Sequence, residues 1–348
     1  MTSSAKTYFG GPDKSKNLLR DILVEHIQAA PAGGDIQWVC YYLNDPVIFQ
    51  ALIDASERGV SIKLTIDGTA RSPSINQACI TVLSQLNRYP IKINIVKNKP
   101  VWEYFGLKWH AHLHSKLYYF SHPTPHVLVG SYNPTAGTEH INQTSINEIG
   151  DHSISHNVLV EVDDNDTVKH LKNYIFDLQN TQQRMFARLL PTHNVTFRSQ
   201  QWSIDFLPSL SANPINTLLS KNHSNANVKC AISHLKGPGI LNPIKTALKT
   251  GKKIELILES SHRRVAKKHL AFLDKHQIKY YQPTLENDCL MHNKFILYQS
   301  DQQHCVMFGS FNWSARSRLL NHEVIACSYD KQIIAAFEQR WHQIITQH

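Results

Sequence analysis

The chain has 348 residues, and a usual domain size of about 150 residues predicts two domains. Apolar residues make up 42% of it and charged residues 18%, which excludes intrinsic disorder and leaves enough apolar side chains for sizeable cores. The formal net charge of +9 favours an anionic partner, such as nucleic acid, an anionic membrane surface or a phosphorylated substrate.

Neither a membrane span nor an export signal is visible in the sequence. No apolar run approaches the roughly 18 residues that a spanning helix needs, and the first residues lack the apolar core of a signal peptide. The six cysteines are scattered without a C-x-x-C pair, which favours buried thiols in a reducing compartment over disulfides or zinc. We therefore expect a cytoplasmic monomer, with peripheral contact to a membrane surface as an open alternative.

Strands and helices alternate along the first half of the chain. The stretches 39–46 and 51–67 read as strand, helix, glycine stop and strand, and a helix over about 74–88 and a strand at 91–96 follow. The second half repeats this order in 230–238 and 244–259, with a helix at about 262–275 and a strand at 278–281. Alternation of this kind predicts parallel pairing in an α/β architecture.

Both halves then contain the same hairpin pattern, a strand starting H-x-K followed by a strand ending G-S-x-N. A further strand and a terminal helix follow in each copy, at 157–162 with 165–189 and at 323–327 with 331–346. We therefore predict two similar lobes, 1–195 and 196–348, that arose by duplication. Each is expected to be a mixed, mostly parallel sheet flanked by helices, with the active site at the lobe interface.

The repeated motifs place chemically useful side chains on one face of each hairpin. Residues two apart on a strand face the same side, so each lobe offers an imidazole, an ammonium, a hydroxyl and an amide together. The lysines, serines and asparagines are suited to hold the oxygens of a tetrahedral anion. One histidine could attack phosphorus while the other protonates the departing oxygen. The candidate catalytic residues are His114, Lys116, Ser131, Asn133, His292, Lys294, Ser310, Asn312 and Glu323.

The duplicated H-x-K and G-S-x-N motifs resemble those of the phospholipase D superfamily. The resemblance implies two lobes packed with their motifs at the interface, and a two-step phosphoryl or phosphatidyl transfer through a phosphohistidine without a metal or other cofactor. It further implies that His114 is the nucleophile and His292 the general acid. The sequence departs from the family pattern at Ser121 and Gln299, where many members have an aspartate five residues after the lysine.

The halves differ at the residue expected to orient each histidine. Glu323 follows the second motif, where family members commonly place an orienting carboxylate, and we therefore expect it to support His292. The matching strand of the first half begins with Asn157, so Glu148 or Asp151 in the preceding loop is the candidate partner of His114.

Several alternatives remain open from the sequence. His110, His112 and His114 share one strand face and resemble a metal cluster, although the ammonium of Lys116 beside them disfavours a cation. The aromatic and basic segment 101–109 suits contact with a membrane interface, stacking on nucleic-acid bases or burial in the core. Trp313 directly follows the second motif, and the resulting sequence G-S-F-N-W resembles that of endonucleases in the family.

We expect a phosphodiesterase acting on an anionic phosphodiester, with phospholipid slightly favoured over nucleic acid. A catalytically weak protein that binds an anionic ligand is the third hypothesis.

Overall fold

The computed structural model describes most of the chain. The described residues are 6–69, 73–97, 100–104, 107–136, 154–180, 196–209, 213–223, 225–283 and 289–346. The proposed partners Glu148 and Asp151 therefore lie outside the described residues, as does the stretch 181–195 before the predicted lobe boundary. That boundary remains a prediction.

The first lobe is a seven-stranded sheet with helices on both faces. Its strands are β1 (Thr7–Phe9), β2 (Asp35–Cys40), β3 (Ser61–Asp67), β4 (Ile91–Val96), β7 (Leu117–Phe120), β8 (His126–Gly130) and β9 (Val158–Val162), in the spatial order β1-β9-β8-β7-β2-β3-β4. Its helices are α1 (Leu18–Ala29), α2 (Pro46–Glu57), α3 (Pro73–Leu86) and α4 (Asn165–Asn180). The predicted order from β2 to β4 and from β7 to α4 is confirmed, and β1 and α1 precede the elements that the sequence predicts.

The second lobe repeats this plan in an eight-stranded sheet. Its strands are β10 (Phe197–Arg198), β11 (Trp202–Leu207), β12 (Asn227–Ile232), β13 (Lys253–Leu258), β14 (Lys279–Tyr281), β15 (Lys294–Gln299), β16 (His304–Gly309) and β17 (Glu323–Ser328), in the spatial order β10-β11-β17-β16-β15-β12-β13-β14. Its helices are α5 (Pro214–Leu219), α6 (Asn242–Lys249), α7 (Lys267–Lys275), α8 (Ala315–Leu319) and α9 (Lys331–Thr346). Equivalent strands occupy equivalent places in the two sheets.

Both sheets are mixed, but the expectation of mostly parallel pairing is wrong. In each sheet the parallel pairs are confined to the three strands joined by helical crossovers, β2-β3-β4 and β12-β13-β14. The other described pairs, which include the motif hairpins β7-β8 and β15-β16, are antiparallel. A short turn reverses the chain and allows only antiparallel pairing, whereas a parallel partner requires a crossover.

Three apolar clusters give the molecule its layers. One lies between the first sheet and α1, α2 and α3, and a second lies between the second sheet and α5, α6 and α7. The third fills the space between the two sheets and combines residues of both lobes, such as Val129 and Phe308, with the inward faces of α4 and α9. This shared core fixes the lobes against each other, because apolar surface buried there belongs to both.

The segment 101–109 forms a hairpin of its own. Strands β5 (Pro100–Tyr104) and β6 (Leu107–His110) make a separate two-stranded antiparallel sheet outside the two large sheets. Trp313 lies elsewhere, buried in the core between the second sheet and its outer helices. Its indole is therefore part of the apolar core, although the sequence around Trp313 resembles that of endonucleases in the family.

Two further sequence expectations bear on the fold. All six cysteines lie in the described part of the chain, where each is buried and none forms a disulfide. Among the described residues, no helix combines the length and apolar character required to cross a membrane.

A partly buried histidine pair in the first lobe allows a testable prediction about how the free energy of unfolding depends on pH. His126 Nε2 lies 3.0 Å from His26 Nδ1, and burial, with His126 and Lys6 nearby, lowers the pKa of His26 from 6.5 to about 4. A histidine whose pKa is lower in the folded state contributes stability above pH 6.5 that is lost as the pH falls through 4. We expect His26→Gln to reduce the loss of unfolding free energy between pH 7 and pH 5 by about 1 kcal/mol, allowing for partial solvent screening.

The measurement is urea unfolding at both pH values. His342→Gln is the matched control, because His342 is exposed on α9. Equal acid sensitivity in wild type and His26→Gln would contradict the prediction.

Candidate active site

The glycine of each G-S-x-N motif allows a close approach between neighbouring strands. A Cβ atom at Gly130 would lie 1.9 Å from the carbonyl oxygen of Val158, and one at Gly309 would lie 2.3 Å from that of Val324. Both distances are impossible for a larger residue. The close approach lets the next residue, Ser131 or Ser310, bond to the strand that carries the orienting side chain.

Two short backbone bridges join the lobes at the motif histidines. The amide of His114 donates to the carbonyl of His322 at 2.9 Å, and the amide of His322 donates to His112 at 2.8 Å. In the equivalent bridge on the other side of the interface, the amide of His292 donates to the carbonyl of His156 at 3.0 Å. Each H-x-K segment is thus paired with the segment entering the last strand of the other lobe. This pairing between the lobes places both motif histidines, and with them the candidate active site, at the lobe interface.

Two buried carboxylates hold the chain just before each motif histidine. Asp67 Oδ2 accepts from the amide of Leu113 at 2.5 Å, and Glu259 Oε2 accepts from the amide of Met291 at 2.7 Å. Both carboxylates are 1% exposed. They were not identified from the sequence, although Asp67 ends β3 and Glu259 directly follows β13, the equivalent strand of the repeat.

Glu323 orients the histidine of the other lobe. Its Oε2 lies 2.8 Å from His114 Nδ1, while Ser310 Oγ donates to the same oxygen at 2.5 Å. Asn321 Nδ2 donates to the second oxygen at 3.2 Å. The expectation that Glu323 supports His292 is therefore wrong. The H-x-K segment of one lobe pairs with the segment that enters the last strand of the other, which places the carboxylate across the interface.

Asn157 takes the corresponding place beside His292. Its Oδ1 lies 2.9 Å from His292 Nδ1 and accepts from Ser131 Oγ at 2.9 Å. The two histidines thus have unlike partners, a carboxylate for His114 and a neutral amide for His292. Because a carboxylate only accepts, His114 carries its proton on Nδ1 and presents the lone pair of Nε2.

The motif serines act on the orienting residues. Ser131 and Ser310 are fully buried, and their hydroxyl groups donate to Asn157 and Glu323, respectively. Each also accepts from a strand amide at 3.1 Å, that of Val158 or Val324. Their expected role as donors to a substrate anion is therefore corrected to that of positioning residues.

The motif lysines and Asn133 are buried and hydrogen-bonded to the backbone. Lys116 and Lys294 are 0% and 4% exposed, and their Nζ atoms donate to the carbonyls of His114 and His292 at 2.7 and 2.8 Å. Asn133 Oδ1 accepts from the amide of Tyr41 at 3.2 Å, which fixes the loop after β2. The amide nitrogen of Asn133 is buried and has no hydrogen-bond partner among the described residues.

Both histidines face one cavity of about 250 Å³. The lining also includes Asn312 and two tyrosines, of which Tyr41 places its ring centroid 5.1 Å from that of His114. Lys116 Nζ lies 5.5 Å from the centre of the same tyrosine ring. Side chains of both lobes therefore line this cavity.

Burial controls the protonation of the two histidines. It lowers the pKa of His114 to about 4, with Lys116 adding to the effect and Glu323 opposing it. Burial also holds the pKa of His292 well below its usual range, assisted by Lys294 and Arg264. Burial alone would raise the pKa of Glu323, but His114 and Lys116 hold it below its ordinary value. At neutral pH both imidazoles are neutral and Glu323 is ionised.

The metal interpretation of His110, His112 and His114 gains no support from the described residues. His112 Nε2 faces the Arg316 guanidinium at 3.2 Å, while His114 is engaged with Glu323, and the side chain of His110 lies outside the described atoms. Among the described residues, no group of three or more histidine, cysteine or acidic side chains has a metal-binding arrangement. A guanidinium and an ammonium this close disfavour a divalent cation.

Comparison with protein families decides the classification. The family model described as cardiolipin synthase, PLD-like domain, matches residues 23–175 and again 217–345. The chain belongs to the phospholipase D superfamily. The double match confirms the duplication, and it covers both H-x-K motifs. Comparison with curated protein sequences finds no significant match.

Two of the compared solved structures, a phosphatidylserine synthase and a polyphosphate kinase, share this fold at low sequence identity. Phosphatidylserine synthase of Haemophilus influenzae Rd KW20 is 16% identical with a TM-score of 0.67, over 98% of this chain and 86% of that one. Polyphosphate kinase of Porphyromonas gingivalis is 13% identical with a TM-score of 0.66, over 97% of this chain. The phospholipase D family member Nuc of Salmonella typhimurium is 15% identical with a TM-score of 0.35, over 42% of this chain and 96% of that one. This chain spans 46% of the polyphosphate kinase.

The missing motif aspartates are replaced by local hydrogen bonds in one lobe. Ser121 Oγ accepts from the amide of Asp35 at 2.8 Å, so it ties the end of β7 to the start of β2. Gln299 is exposed at the end of β15, opposite Asn227.

Proposed function

We propose that this protein is a phospholipase D-type phosphodiesterase, which hydrolyses or transfers phosphatidyl groups through a phosphohistidine on His114. The observation that carries the proposal is the unlike pairing of two imidazoles at the floor of one cavity, His114 with Glu323 and His292 with Asn157. Two histidines with identical partners would give no reason to assign one as the nucleophile and the other as the general acid.

His114 is the nucleophile in the first step. Its Nε2 attacks phosphorus, a P–N bond forms and the P–O bond to the leaving group breaks, while His292 gives a proton to the departing oxygen. A phosphohistidine with protonated Nδ1 carries positive charge on its ring, and the Glu323 carboxylate compensates it. Asn157 has no charge to supply, so it suits the histidine that must release its proton.

The buried cations prepare His292 for its role. Lys294 and Arg264 help to keep its pKa low in the unliganded protein. A bound phosphodiester brings negative charge to the same place, which offsets these cations and raises the pKa of His292. Lys116 and Lys294 then neutralise the phosphoryl oxygens as negative charge develops.

The second step reverses the proton transfer. His292 accepts a proton from water or an alcohol, whose oxygen attacks phosphorus as the P–N bond to His114 breaks. Water gives hydrolysis, and an alcohol gives phosphatidyl transfer. The enzyme returns to its starting state with both imidazoles as before.

A phospholipid is the substrate that we favour. The unlike histidine partners suit a phosphodiester with unlike sides, such as diacylglycerol and a headgroup. The match to the cardiolipin synthase PLD-like domain model and the fold shared with a phosphatidylserine synthase support this choice. We further propose a cytoplasmic monomer that meets its substrate at a membrane surface.

Nucleic acid is the second candidate substrate, and two groups of side chains in the cavity lining support it. Arg263 and Arg316 border the cavity together with the paired rings of Tyr41 and Tyr42, whose centroids are 4.4 Å apart. Guanidinium groups bind phosphates and tyrosine rings stack on bases.

The experiment that decides between them uses one preparation and two substrates. Purified protein is incubated with a fluorescent phosphatidyl lipid and with labelled single-stranded DNA. Release of the lipid headgroup or its exchange for an alcohol supports the phospholipid proposal. Cleavage of DNA with intact lipid would replace it by the nuclease, and cleavage of neither would leave the binding protein.

We predict that activity persists in excess chelator. Lys116 and Lys294 supply the charge neutralisation that a divalent cation provides in other phosphodiesterases. The rate with and without EDTA is compared after dialysis, and we expect less than about a twofold difference, since no step requires a Lewis acid. Complete loss on chelation, restored by zinc or magnesium, would contradict this and revive the histidine cluster as a metal site.

A further inference from the structure

The cavity above the histidines has walls of different chemistry. The loop after β2 contributes Tyr41 and Tyr42, whereas the loops after β12 and β13 contribute Lys236, Arg263 and Arg264. Arg316, after the second G-S-x-N motif, extends the cationic side. Among the described residues that line the cavity, none is acidic. We call Lys236, Arg263, Arg264 and Arg316 the cationic wall.

The two walls occupy equivalent places in the two lobes. Val39 of β2 pairs with Leu117, and Ala231 of β12 pairs with Phe295; each partner directly follows the lysine of its motif. Counting from these pairs, Tyr41 and Tyr42 stand where the second lobe has Ser233 and His234. The duplication has therefore diverged at the site itself, so a bound substrate has a defined direction.

The cationic wall is held by hydrogen bonds of the fold. The amide of Leu235 donates to the carbonyl of Arg264 at 2.9 Å, and the amide of Ala266 donates to Leu235 at 3.1 Å. Arg264 is 4% exposed, and its Nη1 donates to Ser233 Oγ at 3.0 Å. Lys236, Arg263 and Arg264 therefore lie on two loops that are bonded to each other at the carboxyl ends of neighbouring parallel strands, where open α/β sheets usually bind ligands.

The wall carries more charge than the scissile group requires. A phosphodiester has one negative charge, and the proposed mechanism already assigns its neutralisation to the buried Lys116 and Lys294. In-line attack by His114 puts the leaving group on the opposite side of phosphorus, beside His292 and the second lobe. The excess cations therefore border the part of the substrate that leaves first.

We propose that the cationic wall is a subsite for a second anionic group, a phosphate or a carboxylate, on the leaving part of the substrate. The inference rests on the proposed division of labour between the two histidines. It names a substrate class: phosphodiesters whose alcohol side is itself an anion.

The activity test compares two lipids that differ in that anion. Wild type is expected to cleave phosphatidylglycerol phosphate with a kcat/KM at least about tenfold above that for phosphatidylglycerol, a usual effect of one charge-assisted contact. The double variant Lys236→Gln/Arg263→Gln should lose about tenfold on the phosphorylated lipid and little on the other. Both residues are exposed, so the fold should tolerate the change.

The matched control is Lys268→Gln/Arg88→Gln, which removes the same charge at exposed positions outside the cavity lining. It should retain the wild-type preference. An equal loss on both lipids in the wall variant, or an equal loss of preference in the control, would overturn the subsite.

A binding test is independent of turnover. Calorimetry in EDTA with inorganic pyrophosphate and inorganic phosphate should show tighter binding of pyrophosphate, and the wall variant should abolish the difference. Dependence of pyrophosphate binding on the wall, with neither lipid cleaved, would support the subsite while the proposed function fails. Cleavage of both lipids without preference, with equal binding of the two probes, would overturn the subsite while the proposed function stands.

Discussion

Replacing His114 by alanine should abolish turnover, whereas the loss in His292→Ala should be rescued by a good leaving group. Removal of the nucleophile is expected to cost about 10⁴-fold or more on any ester, because no other group forms the covalent bond. Removal of the general acid should cost about 10²–10⁴-fold on an alkyl ester. On the 4-nitrophenyl ester of the same phosphatidyl group, which departs without a proton, the His292→Ala loss should fall to about tenfold.

The measurement is the ratio of kcat/KM for the alkyl and 4-nitrophenyl esters in wild type and both variants. Circular dichroism and thermal melting establish that each variant is folded. Acid quenching with a phosphorus-labelled substrate then traps the intermediate, and peptide mapping locates the label. A label on His292 would reverse the assignment, and a label on neither histidine would discard the covalent mechanism.

Glu323→Gln is expected to lower kcat by about 10⁴-fold, comparable with the change of the orienting aspartate to asparagine in a serine protease triad. The substitution keeps the size of the side chain but removes the charge that stabilises protonated Nδ1 on His114 and the phosphohistidine formed there. Because Glu323 raises the pKa of His114, its loss should move the acid limb of the kcat/KM profile to lower pH. The 4-nitrophenyl ester should not rescue this variant, since the defect lies in the attack.

Asn157 provides the matched comparison in the other lobe. Asn157→Ala impairs the general acid, and the 4-nitrophenyl ester should partly rescue it. Asn157→Asp adds a carboxylate beside His292, which should raise the pKa of His292 and extend activity to higher pH. Rescue of Glu323→Gln with no rescue of Asn157→Ala would show that the carboxylate serves the acid, contrary to the cross-lobe assignment.

Local patterning in the sequence was sufficient for most elements of the fold. Period and turn residues predict β4 at 91–96 and α9 at 331–346 with the bounds that the structure has. The repeat predicts two lobes, because the same apolar pattern folds in the same way twice. Strand direction was the exception: the helical crossovers correctly predicted parallel pairs, but the hairpins added antiparallel pairs that outnumber them.

The candidate site likewise combines features that the sequence predicts with features that only the tertiary structure determines. The sequence by itself determined which side chains are candidates for the chemistry, since H-x-K and G-S-x-N recur in both halves. The tertiary structure decided which orienting residue serves which histidine. His114 and Glu323 are 209 residues apart, and Asn157 and His292 are 135 apart, so proximity along the chain favoured the wrong pairing. The physical reason is the pairing at the lobe interface: backbone bridges join the H-x-K segment of each lobe to the segment that enters the last strand of the other, and no local pattern encodes a partner met across that contact.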